Sequence, residues 1–253
     1  FLVTPAAYLK RYLSSLTVSL KDKFVVSAIK GIITDEKQFV TDYLKQHYGL
    51  SGGQMCFLGG PTHAEEVGHG KLTYLTLACA NIGKTRIVGD KLKTPFIRVS
   101  YVRNMRYLER AAVLKNIYAV MVGIAVGLGY GDNFISVLVA NCIKEMYFLL
   151  DPHSINELTR FSPSNFFGDL LVSCYSSHSR NRQLGVLIGR GNTVKTALNE
   201  MTMVAEGYFA SAMMPYLPEV QRTHLPIAET AYQVLHKGVP ARKAMKNLEN
   251  LLA

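Results

Sequence analysis

Over its first hundred residues the sequence alternates short runs of Val, Ile, Phe and Leu with helix-patterned stretches, and few architectures accept that alternation. "FLVTP" precedes "AAYLKRYLSSLTVSLKD", "FVVSAIKG" precedes a helix-like stretch ending at Tyr48, and "MCFLGGP", "LTYLTLACA" and "FIRVSY" supply further apolar runs. Apolar strands joined by crossover helices bury both faces of a parallel sheet, so the spacing predicts βαβ units. Phe1 already stands inside a strand-like run, which implies that strands of such a sheet come before it. The GxGxxG turn that a dinucleotide-binding sheet carries after its first strand does not occur in the 253 residues, and the chain reads as a fragment.

After Arg103 the texture becomes helical, with apolar periodicity through "LERAAVLKNIYAVMV" and "ISVLVANCIKEMYFLL". Pro226 and Pro240 stand where first-turn prolines belong, and Gly191 and Gly238 stand where helices stop. The longest uncharged stretch, Ile117 to Gly131, contains four glycines and is shorter than the roughly 18 to 20 apolar residues of a spanning helix. It reads as a buried core helix with a glycine-rich exit, and no membrane span is expected. Lys115 is placed at its head. Such a lysine either ends a helix and reaches water, or has a pKa displaced far enough for proton chemistry near neutrality.

A formal charge of +10 favours anionic partners. Lys and Arg are spread along the whole chain with no aromatic interleaving, which argues against nucleic acid and leaves a membrane surface or phosphorylated metabolites, between which charge does not choose. Cys56, Cys79, Cys142 and Cys174 lie far apart in apolar surroundings, the usage of reduced core thiols in a cytoplasmic protein. His63, Glu65, Glu66 and His69 of "THAEEVGHG" match no standard zinc spacing, so no metal is expected. "GLGYGDN" and "LIGRGN" end helical runs instead of following strands and are read as helix stops, not phosphate loops.

Two segments carry denser chemistry. "LGGPTHA" ends a strand and opens a helix, presenting backbone N–H groups and the Thr62 hydroxyl at the edge where open α/β sheets bind ligands; Lys30 of "SAIKGI" ends a strand at the same edge. In "GDLLVSCYSSHSRNRQLG", Asp169 and Ser173 share a helix face, and Ser179 is a natural N-cap for a helix that begins with Arg180 and Asn181. A capped helix start with a guanidinium suits a phosphate or carboxylate, and equally a solvated surface cap.

Taken in order, "SAIKGI", "LGGPTHAEEV", "LKNIYAV" with "GLGYGDN", "GDLLVSCYSSHSRNRQLG", "EMTMVAEGY" and "PIAETAYQVL" resemble the NAD(P)-dependent glycerol-3-phosphate dehydrogenases of bacterial type, from Phe1 to about Leu252. The resemblance implies an α/β plus all-α chain. Residues 1–102 would be the remaining, C-terminal part of a Rossmann-type parallel-sheet domain, and 103–253 a mostly helical substrate domain like the C-terminal domain of 6-phosphogluconate dehydrogenase. It implies interconversion of sn-glycerol 3-phosphate and dihydroxyacetone phosphate with NAD or NADP, supplying phospholipid synthesis, and it leaves room for a homodimer.

By that resemblance Lys115 and Asp169 are catalytic. Lys30, Gly60, Thr62, Lys115, Asn116, Asp169, Ser179, Arg180 and Asn181 bind substrate, and Lys30, Ala64, Arg180, Val204 and Glu206 face the cofactor. The family's "DVxGVE" is here "NMRYLE" and its "GLAGLGDL" is "SNFFGDL". A proton acceptor working near neutrality needs its lysine pKa brought from about 10.4 toward roughly 7 to 8, as burial and neighbouring cations would do. Other readings are a different two-domain NAD(P)-dependent hydroxy-acid or phospho-metabolite dehydrogenase, and a non-catalytic helical assembly fragment.

Overall fold

The computed structural model describes residues 1–150, 164–217 and 224–252, which fall into two compact units. Residues 1–112 with 164–169 form the first, and 113–150 with 170–217 and 224–252 the second.

The first unit contains α1 (Ala6–Ser14), β1 (Val25–Ser27), β2 (Ile32–Ile33), β3 (Gln38–Phe39), α2 (Val40–Tyr48), β4 (Met55–Gly59), α3 (Ala64–Gly68), β5 (Thr73–Ala78), α4 (Ile82–Leu92) and β6 (Ile97–Val102). Its main sheet has the order β1-β4-β5-β6. Alternate residues serve opposite faces, as a pleated strand requires. Val25 and Met55 pack with Leu9, Val40 and Leu44 of α1 and α2, whereas Val26 and Cys56 pack with Val88 and Leu92 of α4.

The pairings β1–β4 and β5–β6 are parallel, and β4–β5 is antiparallel, so the predicted parallel sheet is a mixed one. The reason lies in the connections. Between β5 and β6 the 11-residue α4 crosses back over the sheet, while β4 and β5 are joined through a helix of only 5 residues, too short to return the chain to the opposite edge. Three other expectations change locally. "FLVTP" contributes a single bridge, Leu2 to Ser27, before Pro5 opens α1. The helix expected through "LSSLTVSLKD" stops at Ser14, where the Ser14 and Ser15 hydroxyls donate to the Arg11 and Tyr12 carbonyls. The stretch before Tyr48 begins as the β2–β3 hairpin, its turn carrying Lys37 at φ 52°, before α2 starts.

Helix α5 (Met105–Leu128) runs from the first unit into the second, followed by α6 (Asp132–Leu150), a π-turn (Ser164–Gly168), α7 (Asp169–Tyr175), α8 (Arg180–Gly189), α9 (Val194–Glu200), α10 (Glu206–Met213), a 3₁₀ turn (Met214–Tyr216), α11 (Pro226–Lys237) and α12 (Ala241–Glu249). Pro226 opens α11 as expected, whereas Pro240 stands one place earlier, at the N-cap of α12. The sequence sets Lys115 at a helix head, but Asn104 Oδ1 accepts from the Tyr107 N–H and starts α5 at Met105, leaving Lys115 near its middle. By length and hydropathy α5 could cross a membrane; 83% of its most apolar window is buried inside the protein, as in a core helix.

Two of the four glycines in that run, Gly123 and Gly127, are packing residues. A Cβ on Gly123 would strike the Arg182 carbonyl and one on Gly127 the Val186 carbonyl, while Gly185 and Gly189 face the same two glycines from α8. Two glycines four apart on each helix let the backbones approach more closely than side chains would permit.

Two buried glutamates close helix starts that lack a capping side chain. Glu109 accepts from the Thr41 N–H at 3.0 Å and from the Thr41 hydroxyl at the start of α2. Glu145 accepts from the N–H groups of Ile227 and Ala228, at 2.6 and 3.1 Å, at the start of α11. Burial pushes both carboxyls up to about 7, against the pull of the donors.

Candidate active site

In the first unit the chain leaves β1 with the Ser27 hydroxyl accepting from the Ile29 N–H, and three residues after Ser27 Lys30 turns toward the end of β4. Its ammonium donates to the Gly60 carbonyl at 2.9 Å and to Asp169 Oδ2 at 3.0 Å. The Lys30 side chain is 22% exposed and that of Asp169 only 2%. The Thr62 hydroxyl donates to the same Gly60 oxygen at 3.2 Å. Gly60 is held at φ +123°, and a Cβ there would overlap the Tyr74 carbonyl, so only glycine fits this approach of β4 to β5. Thr62 and Ala64, the latter opening α3, are solvent-exposed.

In the second unit Lys115 is buried, 6% exposed, and donates to the Ser173 hydroxyl at 2.9 Å. Ser173 lies one helical turn beyond Asp169 in α7, as their spacing predicts. The next residue, Asn116, takes part in a relay: Asn181 Nδ2 donates to Asn116 Oδ1, and the Gly207 N–H donates to Asn181 Oδ1, both at 2.9 Å. These two side chains join α5, α8 and the first turn of α10. Glu206 opens α10, and Val204 lies two residues before it; both are half-buried.

Ser179 is the N-cap of α8, its hydroxyl accepting from the Arg182 N–H at 3.3 Å. Arg180 is the first helical residue and half-buried, with no acidic side chain in that first turn. The resulting end is electropositive from both its free N–H groups and its guanidinium.

The structure therefore brings together Lys30, Gly60, Thr62 and Asp169 in one cluster, and Lys115, Asn116 and Asn181 in another. Sequence reasoning noted Ser173 only for its helix face; its spacing of four from Asp169 was the available signal for a site position. A cavity of about 540 Å³ in the second unit, bordered by Arg190, Asn192, Thr193 and Arg242, contains none of the sequence-predicted residues. Among the described residues no cluster of three or more His, Cys, Asp or Glu side chains could hold a metal ion.

Residues 1–84 match the family description "NAD-dependent glycerol-3-phosphate dehydrogenase N-terminus", and residues 105–246 match its C-terminus. A glycerol-3-phosphate dehydrogenase [NAD(P)+] of Fusobacterium nucleatum is 33% identical over 248 residues, which cover 98% of this chain and 74% of the relative. One from Chlorobium phaeobacteroides is 33% identical over 238 residues, 92% of this chain and 70% of the relative. Among solved structures, that of glycerol-3-phosphate dehydrogenase from Coxiella burnetii superposes with a TM-score of 0.85 at 22% identity, covering 97% of this chain and 74% of that one, a likeness of fold.

Proposed function

The chain belongs to the NAD-dependent glycerol-3-phosphate dehydrogenase family, and on that footing we propose that it interconverts sn-glycerol 3-phosphate and dihydroxyacetone phosphate, with NAD or NADP as the hydride partner. The observation that carries this reading is Lys115, a buried amine fixed by Ser173 in the middle of a rigid helix. In this reading residues 1–102 serve the nucleotide and 103–253 the substrate, a division with the cytoplasmic role of supplying glycerol 3-phosphate to lipid synthesis.

Oxidation of a secondary alcohol removes a hydride from carbon and a proton from oxygen. The Lys115 amine accepts the hydroxyl proton, and in the reverse direction its ammonium returns a proton to the ketone oxygen. Ser173 accepts from Lys115 and holds the amine on one rotamer. Asp169 anchors Lys30, which the resemblance makes a substrate-binding residue, and fixes its ammonium beside the Gly60 carbonyl. Ser179, Arg180 and Asn181 take the phosphate at the start of α8, and Asn116 steadies Asn181.

The residues after β1 and β4 fit a nicotinamide ring. Gly60 leaves the backbone bare at that edge, Lys30 is beside it, and Ala64 adds only a methyl group. When bound, NAD or NADP supplies the hydride acceptor or donor; Lys30, Ala64, Arg180, Val204 and Glu206 are the residues that would hold it. The test is NADH and NADPH oxidation by the full-length protein with dihydroxyacetone phosphate. Steady turnover is expected. Preference for a hydroxy-acid or its keto form would transfer the chain's substrate to another class.

A further inference from the structure

The π-turn before α7 holds a polar side chain that the proposed reaction leaves unused. Asn165 is 3% exposed, and among the described residues neither its Oδ1 nor its Nδ2 has a hydrogen-bond partner. Its Oδ1 stands over the end of β4, 3.2 Å from where a Cβ on Gly60 would lie and 3.4 Å from one on Gly59. Gly60 is the residue whose carbonyl Lys30 and Thr62 share, and Asp169, the partner of Lys30, follows Asn165 by four positions. A buried amide with no partner is disfavoured in a ligand-free protein, and π-turns are frequent at functional sites.

An amide offers one acceptor and one donor group side by side. A carboxylate or phosphate would face Oδ1 with like charge, and an ammonium would leave Nδ2 unmatched. The complementary ligand group is neutral and both donates and accepts. Taking the dehydrogenase reading as its premise, we infer that Asn165 binds the free hydroxyl of the three-carbon substrate and makes the site selective for a hydroxymethyl ketone over a methyl ketone.

The experiment compares the full-length protein with Asn165→Leu and Asn165→Ala. Each is assayed with dihydroxyacetone phosphate and with hydroxyacetone phosphate, the same ketone without the free hydroxyl. The ratio of the two kcat/KM values should fall at least about 10-fold in both variants, through loss on dihydroxyacetone phosphate alone. Ligand-free Tm should hold or rise, because the replaced amide had no partner to lose. An unchanged ratio overturns the inference. So does a lowered Tm in both variants, which would place the amide's partners inside the protein. An unchanged ratio with weakened NADH binding would move Asn165 to the cofactor's carboxamide and equally overturn it. Wild-type inactivity on both ketones would instead remove the dehydrogenase reading beneath it.

Discussion

Lys30 and Asp169, 139 positions apart in sequence, meet at 3.0 Å with the carboxylate buried and the ammonium partly in water. A strand exit and a helix start are thereby tied by one charge-assisted hydrogen bond, beside a carbonyl that binds the same ammonium.

Removing one partner of such a pair should cost stability. For Lys30→Met the loss should be about 1 to 3 kcal/mol, below the range for a fully buried pair because water already reaches the lysine. Urea midpoints with unchanged m-values measure it. The double variant Lys30→Met, Asp169→Leu should recover part of the loss; strictly additive effects would show that the pair is not coupled.

Lys115→Ala should lower kcat with dihydroxyacetone phosphate by at least about 10²-fold, the lower end of general acid–base contributions. Circular dichroism and Tm should remain close to wild type, since the truncated side chain leaves Ser173 within a helix that is otherwise intact. Near-normal turnover would remove the proton-transfer role.

Arg180→Lys keeps the charge at the start of α8 but loses the planar fork. The value of kcat/KM for glycerol 3-phosphate should drop about 10- to 100-fold. Activity with unphosphorylated glycerol should hardly change. Equal proportional losses on the two substrates would tie Arg180 to the cofactor or the fold instead.

The helix-capping glutamates make stability fall as pH rises. Glu109 and Glu145 have folded pKa values of about 7, above the unfolded value of 4.5, so the folded state holds their protons more tightly. The contribution is complete below about 4.5 and is lost as pH climbs through about 7, amounting to roughly 3 kcal/mol at most for each. Melting curves from pH 5 to 8 should slope downward, and Glu109→Gln and Glu145→Gln should each flatten the slope. Equal slopes in variants and wild type would contradict it.

Ser179 was legible as a cap because a serine before a helical run has few other uses, and Gly238 was legible as a stop. Lys115 was misplaced because the eye reads a charge beside an apolar run as a boundary; the boundary is Asn104, whose side chain caps from outside the periodic pattern. The antiparallel joint between β4 and β5 depends on how far a short helix can carry the chain, and strand sequences do not encode that. Asn165 was invisible for another reason. In the sequence "SNFFG" stands out only as a departure from the family's "GLAGLG", and only three-dimensional burial distinguishes an amide without partners from one in water.

The glycine seam between α5 and α8 has no group that could react, yet it bears on inheritance and on screening. A substitution such as Gly185→Ala would force apart the helices that carry Asn116 and Asn181, and displace Arg180 one turn up the same rod. Its loss would look, in an activity screen, like damage to the phosphate clamp. Searches for inactivating alleles that follow only charged or polar positions would pass over these four glycines, where any side chain would run into the facing backbone.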